Sequence, residues 1–350
     1  MNLFNPRALW PSLIACVMAA ALFFLLRQPS NSTERTVIVY ASVDSDFALP
    51  VFDAFTRETG IHVVSRFDGE ETKTTGTAMR LDQMKGHPDG DVFWNSEQSL
   101  TLVLAAKGVL QSYVSPNSQN IPAEFKDAGG LWTGFGQRAR VVIYSNKIKP
   151  EDAPKSLEDF ANPRWKNRFA VAKPLYGTTL SHFAALTLEL GEEKAFALFR
   201  AWRVNGVIVA QGNGDVAELV ATGAADVGLT DSDDAFSSLD RHKPVRFTII
   251  DQTADWHGSF LIPNTVSMLK NCPHPAEARA FIDYLLRPEM EKWLAEHGAR
   301  QIPVRDVGAT LATPLDSVKL KPVRIDRARL AEEVLTLGAR INKILSGEEK

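Results

Sequence analysis

Thr36-Val-Ile-Val-Tyr-Ala41, Phe47-Ala-Leu-Pro-Val-Phe-Asp-Ala-Phe-Thr-Arg-Glu-Thr59 and Ile61-His-Val-Val-Ser-Arg-Phe67 decide the fold. The first stretch is a short β-branched and aromatic run and reads as a strand. In the second, Val51, Phe52 and Phe55 fall at helical spacing, and Gly60 stands where the residue after a helix belongs. Pro50 is expected in the first turn, where its missing N–H is tolerated. The third run is again a strand. Strand, helix and strand within about thirty residues make a βαβ unit, whose crossover leaves its two strands parallel.

The alternation continues outward from that unit. Helical spacing covers 71–85, 97–107, 179–190, 192–204, 216–221, 275–286, 288–297 and 327–345, with Asp215 expected to cap the helix at 216. Strand-like runs cover 91–94, 138–145, 169–172, 206–210, 226–230, 245–250 and 260–268. No repeat or low-complexity stretch interrupts them. The pattern implies an α/β architecture with parallel, helix-covered sheets.

Composition narrows the functional classes. The 350 residues carry 39 Lys+Arg against 42 Asp+Glu with 45% hydrophobic content, which excludes a disordered or fibrous chain and leaves room for about two domains. A net charge of −3 offers no basic footprint for nucleic acid. Cys16 and Cys272 supply neither a disulfide framework nor a metal knuckle. There is no GxSxG elbow, HExxH or Walker loop, and no two of the seven histidines stand four residues apart, so an enzyme is not expected. Residues 1–35 are a separate segment. Between Arg7 and Arg27, residues 8–26 run without a charge, and a polar linker follows. The segment reads as an uncleaved inner-membrane anchor, a cleaved secretory signal, or a lipoprotein signal at Cys16. All three export the body to the periplasm or cell surface.

Ligands of open α/β sheets bind beyond the carboxyl ends of the strands. The first strand delivers Asp44, and the second Glu70, Thr72 and Lys73. The third delivers Asn95, Ser96 and Glu97, and the strand at 226–230 delivers Asp231, Ser232, Asp233 and Asp234. Such residues either cap the next helix or offer oxygen to a hard cation or an ammonium group. Three carboxylates within Asp231–Asp234 repel one another and call for a cation, a basic partner or solvent. Arg138 and Arg140 project from one strand face. Tyr176-Gly177-Thr178-Thr179 opens a helix, presenting hydroxyls and N–H groups to an anion. Gly212-Asn-Gly-Asp215 lacks a third glycine and reads as a plain turn.

Read together, Tyr40-Ala-Ser-Val-Asp44, Phe55-Thr-Arg-Glu-Thr-Gly-Ile61, Glu71-Thr-Lys-Thr74 and Asp91-Val-Phe-Trp-Asn-Ser-Glu97 carry a resemblance. Arg138-Ala-Arg-Val-Val-Ile-Tyr144, Gly228-Leu-Thr-Asp-Ser-Asp-Asp-Ala235, Ile262-Pro-Asn-Thr-Val266 and Arg300-Gln-Ile-Pro303 complete it. In order and spacing they resemble the solute-binding proteins of ABC importers, in the group of periplasmic ferric-iron-binding proteins. The resemblance implies a two-lobed type II periplasmic-binding fold with the ligand in the cleft between lobes. Lobe 1 would comprise 36–137 and 256–305, and lobe 2 138–255 and 306–350. It also implies a monomer that docks on a permease and its ATPase, with no resident cofactor. Its cargo would be Fe(III) with a synergistic anion, and Arg138 and Arg140 match the pair that holds that anion.

One departure keeps the cargo open. Relatives place two adjacent tyrosines after the strand matching 226–229, where this chain has Thr-Asp-Ser-Asp-Asp. Three readings stand: ferric iron or an iron–anion complex held by Glu97, Asp231 and Asp233; a small organic anion carrying an amine, such as an aminophosphonate; or a membrane-tethered ligand-sensing domain. On the amine reading, the arginines with Thr178 and Thr179 take the anion, while Asp231, Asp233 or Glu97 take the ammonium. Asp231→Ala and Asp233→Ala are expected to abolish cation or ammonium binding without unfolding the chain. Arg138→Ala should weaken anion binding by about 1.5–3 kcal/mol, read by calorimetric titration.

Overall fold

The computed structural model describes residues 35–67, 75–252, 258–298, 300–315, 320–323 and 325–349. The apolar segment 8–26 and the candidate ligands Glu70, Thr72 and Lys73 lie outside them. Among the described residues, no helix is long and apolar enough to cross a membrane.

The strands, in chain order, are β1 (Thr36–Ser42), β2 (His62–Phe67), β3 (Val92–Asn95), β4 (Leu110–Gln111), β5 (Thr133–Ser145), β6 (Phe169–Ala172), β7 (Ile208–Ala210), β8 (Val227–Asp231), β9 (Val245–Ile249) and β10 (Leu261–Leu269). They join in the order β2-β1-β3-β10-β5-β8-β6-β7, with β4 beside β10 and β9 beside β5. β1 pairs in parallel with β2 and β3, and β6 in parallel with β7 and β8. These are the βα units read from the sequence. The expectation of purely parallel sheets needs correcting, because β10 runs antiparallel to β3 and β5, and β5 antiparallel to β8 and β9. Periodicity marks a strand but not its direction, which depends on the neighbour it meets.

β5 links the two parallel sets. Its first half, through Ala139, pairs with β10, and from Arg140 onward it pairs with β8 and β9. Arg140 therefore lies directly opposite Asp231, the last residue of β8.

The helices are α1 (Ser45–Thr59), α2 (Thr75–Gln83), α3 (Gln98–Ala106), α4 (Gly177–Leu190), α5 (Glu192–Val204), α6 (Asn213–Thr222), α7 (Ser232–Asp240), α8 (Pro275–Leu285), α9 (Pro288–Glu296) and α10 (Arg327–Ser346). α1 starts two residues earlier than its apolar spacing suggested, so Pro50 sits in the second turn rather than the first. Its side chain is exposed, on the face of α1 away from the core. α6 likewise starts earlier than expected. Asp215 is its third residue, and the Asp215 carboxylate accepts from the Gly212 N–H at 2.9 Å.

Separate cores stabilise the two ends of the sheet. Trp94 on β3 is fully buried against Phe47, Phe52 and Phe135. Beyond β5, Phe160, Phe169, Phe183, Phe199 and Trp202 form a second aromatic cluster. α10 closes it with Leu330, Val334, Leu337, Ile341 and Ile344, which recur at helical spacing along one stripe.

Asp251 is a buried carboxyl behind this cluster, 5% exposed, accepting the Leu157 N–H at 3.3 Å. Burial pushes it up to about 7, against the smaller pull of that hydrogen bond. The folded chain thus holds the proton more tightly than the unfolded chain. Stability from this group is present below about pH 4 and is lost as pH rises towards 7, by about 4 kcal/mol at most. Asp251→Asn should flatten that dependence, so urea unfolding at pH 5 and pH 7.5 should show the variant gaining on the wild type as pH rises.

Candidate functional site

The carboxyl ends of β1, β3, β6, β7 and β8 converge on one pocket. Its wall includes Asp44 after β1, Ser96 after β3, Lys173 and Tyr176 after β6, Asn213 after β7, and Asp233 and Asp234 after β8. Arg138 reaches it from β5, and Thr178, Thr179 and Gly177 from the first turn of α4. Gly177 has φ +62°, a backbone conformation that side chains strain to adopt. The pocket shares Asp44, Asp233 and Asp234 with a wide cleft that also touches Phe47, Phe67 and Lys243.

Asp231 is the structural centre of this region. One carboxylate oxygen accepts from Arg140 Nη1 at 2.7 Å. The other accepts from Thr178 Oγ1 at 2.7 Å and Asn213 Nδ2 at 3.3 Å. Asn213 also donates to Thr178 Oγ1 at 2.8 Å and accepts from Arg140 Nη1 at 3.0 Å and Thr179 Oγ1 at 3.1 Å. Burial would push the Asp231 carboxyl up, but Arg140 and Arg138, with these hydrogen bonds, hold it below the ordinary range.

Arg140 is fully buried, and besides Asp231 it donates to the Leu229 carbonyl at 3.2 Å. It is not part of the pocket wall, and its expected contact with an anion gives way to this internal role.

Arg138 behaves differently. Its guanidinium lies 3.3 Å from Asp233 and 3.7 Å from Asp231, and donates to the Ser96 carbonyl at 3.0 Å. Burial lowers its hold on the proton, but Asp233, Asp231 and Asp44 outweigh that and raise it. Its Nε has no hydrogen-bond partner although the side chain is buried.

Asp231, Asp233 and Asp234 each offer an oxygen within 4.8 Å of the others. Burial first, then the Asp233 and Asp231 carboxylates, push Asp234 well above the ordinary carboxyl range. Asp234 accepts from Thr230 Oγ1 at 3.1 Å. A cation entering here would displace its proton and relieve the repulsion.

The other expected residues divide plainly. Glu97 caps α3, its two oxygens accepting the Ser99 and Leu100 N–H groups at 2.6 and 3.2 Å. It lies outside the pocket wall and the carboxylate cluster, so its expected role as a metal ligand gives way to capping. Asn95 is buried and donates to the Glu97 carbonyl and to Thr101 Oγ1. Ser232 accepts the Ala139 N–H at 3.2 Å. Both tie a strand to a helix start and lie outside the pocket lining.

Lys173, Gln211 and Asn213, which the sequence did not mark as ligands, also line it, as do Asp234 from the carboxylate cluster and Tyr176 from the turn that opens α4. The Tyr176 hydroxyl donates to the Gln211 carbonyl at 2.9 Å, and Lys173 Nζ donates to Gln211 Oε1 at 2.9 Å. Their signal was position alone, since each follows a strand end.

The sequence profile of bacterial extracellular solute-binding proteins matches residues 51–319. The chain belongs to that family. Among related solute-binding proteins, the Fe(3+)-binding periplasmic protein of Serratia marcescens is 26% identical over 326 residues, 90% of this chain and 92% of that one. The crystal structure of iron-bound HitA from Pseudomonas aeruginosa superposes with a TM-score of 0.75 at 24% identity, covering 88% of this chain and 99% of that one. AfuA from Actinobacillus pleuropneumoniae, with exogenous fructose-6-phosphate bound, gives 0.75 at 19% identity over 89% and 99%. The fold of this solute-binding protein is therefore the two-lobed periplasmic-binding fold.

The Asp231 network corrects the expectation that its loss leaves folding intact. Asp231→Ala would strand a fully buried guanidinium, so guanidinium chloride unfolding should show a loss of about 3–5 kcal/mol. Asp233→Ala leaves Arg138 its Asp231 neighbour and the Ser96 carbonyl, and should lose much less.

Proposed function

We propose that this chain is the extracytoplasmic substrate-binding component of an ABC importer and takes ferric iron, alone or with a small anion, in the pocket. The observation that carries the reading is that oxygen donors line one pocket: the clustered Asp233 and Asp234, with Asp44 and the Tyr176 phenol also in its lining. Hard trivalent iron favours anionic oxygen donors. The lost tyrosine pair after β8 thus has a partial counterpart in Tyr176, which arrives from the start of α4. The iron-binding names of the Serratia and Pseudomonas relatives support the same reading. Arg138, Thr178 and the first turn of α4 would hold the accompanying anion. Periplasmic delivery to a permease with its ATPase follows from the family, and no catalytic step is assigned to any residue.

A second reading has its own support. The same fold holds a sugar phosphate in AfuA, and here acidic side chains and a helix N-terminus line one pocket. That arrangement suits an organic anion bearing an amine, with Asp233 and Asp234 on the ammonium.

Native and denaturing mass spectra of gently purified residues 36–350 separate the two. A gain of one iron supports the first reading, and an organic increment the second. Iron held by Tyr176 should also give a visible phenolate-to-iron charge-transfer band that Tyr176→Phe abolishes while some iron binding persists. An iron complex whose spectrum is unchanged by that variant removes Tyr176 from the donor set. Asp233→Asn with Asp234→Asn should lower iron affinity by a hundredfold or more.

A further inference from the structure

Residues attached to two separate cores line the wide cleft. Phe47 packs in the core that holds Trp94, where α9 also buries Met290 and Leu294. α7, which supplies Ser237, Ser238 and Asp240 to the cleft, instead buries Phe236 against Phe247 of β9. Just after α9 the chain passes through Gly298 at φ +55° and Arg300 at φ +47°. Glycine adopts that left-handed conformation freely, but an arginine there is strained, and such strain persists only where neighbouring contacts offset it. Those contacts are made by the guanidinium, and they lie on α7. Arg300 Nη1 and Nη2 donate to the two Asp240 oxygens at 2.8 and 2.7 Å. The same guanidinium lies 4.9 Å from the centroid of the Phe236 ring.

An ordinary ion pair at a surface contributes little. The neighbouring pair of Arg241 with Asp46, 3.7 Å apart and largely exposed, is of that kind. Arg300 differs in three respects: its fork meets the carboxylate with two parallel bonds, an aromatic face orients it, and a strained backbone aims it. From this we infer that Arg300 is a latch, clasping Asp240 and Phe236 to hold the cleft closed. A contact that exists only when the two sides meet shifts the balance between open and closed forms by its own free energy. The inference rests on the two-lobed fold and is independent of which cargo the pocket takes. With the Arg300 side chain 27% exposed, the latch is also open to screening by salt.

Small-angle X-ray scattering of the cargo-free protein tests the latch, with folding of each variant checked by circular dichroism. The wild type should be more compact in 20 mM than in 1 M sodium chloride. Arg300→Gln should raise the ratio of open to closed molecules about fivefold at low salt and abolish most of the salt response. Asp240→Asn, which leaves the backbone at 300 untouched, should do the same. Asp240→Arg places two cations together and should open the cleft furthest. Combined with Arg300→Asp, whose residue type tolerates the left-handed backbone, it should regain a substantial part of the compactness. Scattering that is identical for the wild type and both neutral variants overturns the latch. So does a reversed pair that stays as open as Asp240→Arg alone.

Discussion

A carboxylate buried at a strand end has to be met by positive charge and hydrogen-bond donors, and Asp231 is met from three directions. Arg140 comes from the strand across the sheet, Thr178 from the start of α4, and Asn213 from the start of α6. Because Asp231 also opens α7, one side chain fixes the beginnings of three helices relative to β5. Burying an ion pair is worth little in net stability, since desolvation offsets attraction. Its effect is positional: removing either partner strands the other, so the helix starts are held in one arrangement. The pocket is the space this arrangement leaves, and Asp231 lines it together with Asp233 and Asp234.

The same network explains which parts of the site the sequence exposed. Strand and helix positions were legible because periods of 2 and 3.6 residues are local properties. The pocket's location was legible too, because helices that follow parallel strands put their first turns at one edge of the sheet. The roles of individual carboxylates were not. Glu97 and Asp233 both stand at the junction of a strand and the helix after it, yet Glu97 turns inward to cap α3 while Asp233, in the first turn of α7, meets Arg138. The difference lies in which basic group the crossing strand brings alongside, a tertiary fact. Arg138 and Arg140 illustrate the point from the other side. Both lie on the same strand face, but β8 ends opposite Arg140, and its last carboxylate claims that guanidinium. Asn213 was hidden for a further reason, since Gly-Asn-Gly is the composition of any turn.

Aspartates where the resemblance implies a tyrosine pair would change the site's electrostatics as well as its donors. Phenols with an ordinary pKa near 10 are neutral until a metal takes their protons, so they can sit together without cost. Aspartates are charged near neutrality, and grouping three of them requires compensation at all times. The chain meets that requirement in two ways: Arg140 and Arg138 hold Asp231 ionised, while Asp234 is driven towards its neutral form. A cluster built so is poised between a salt bridge and a cation site.

Arg138 is where these two states meet. Its guanidinium already occupies the field of Asp233 and Asp231, so a cation seated among those carboxylates competes with it directly. Displaced from Asp233 while still buried, Arg138 would keep only Asp231 and the Ser96 carbonyl, and an under-paired buried charge is costly. On the proposed function, a small anion accepting from its Nε would remove that cost. On that reading, cation and anion would stabilise each other through one side chain, without direct contact between them being required. Cargo bringing both signs of charge in one unit would satisfy Arg138 and the carboxylates together, whereas a bare cation would leave the arginine short and a bare anion would leave the aspartates crowded.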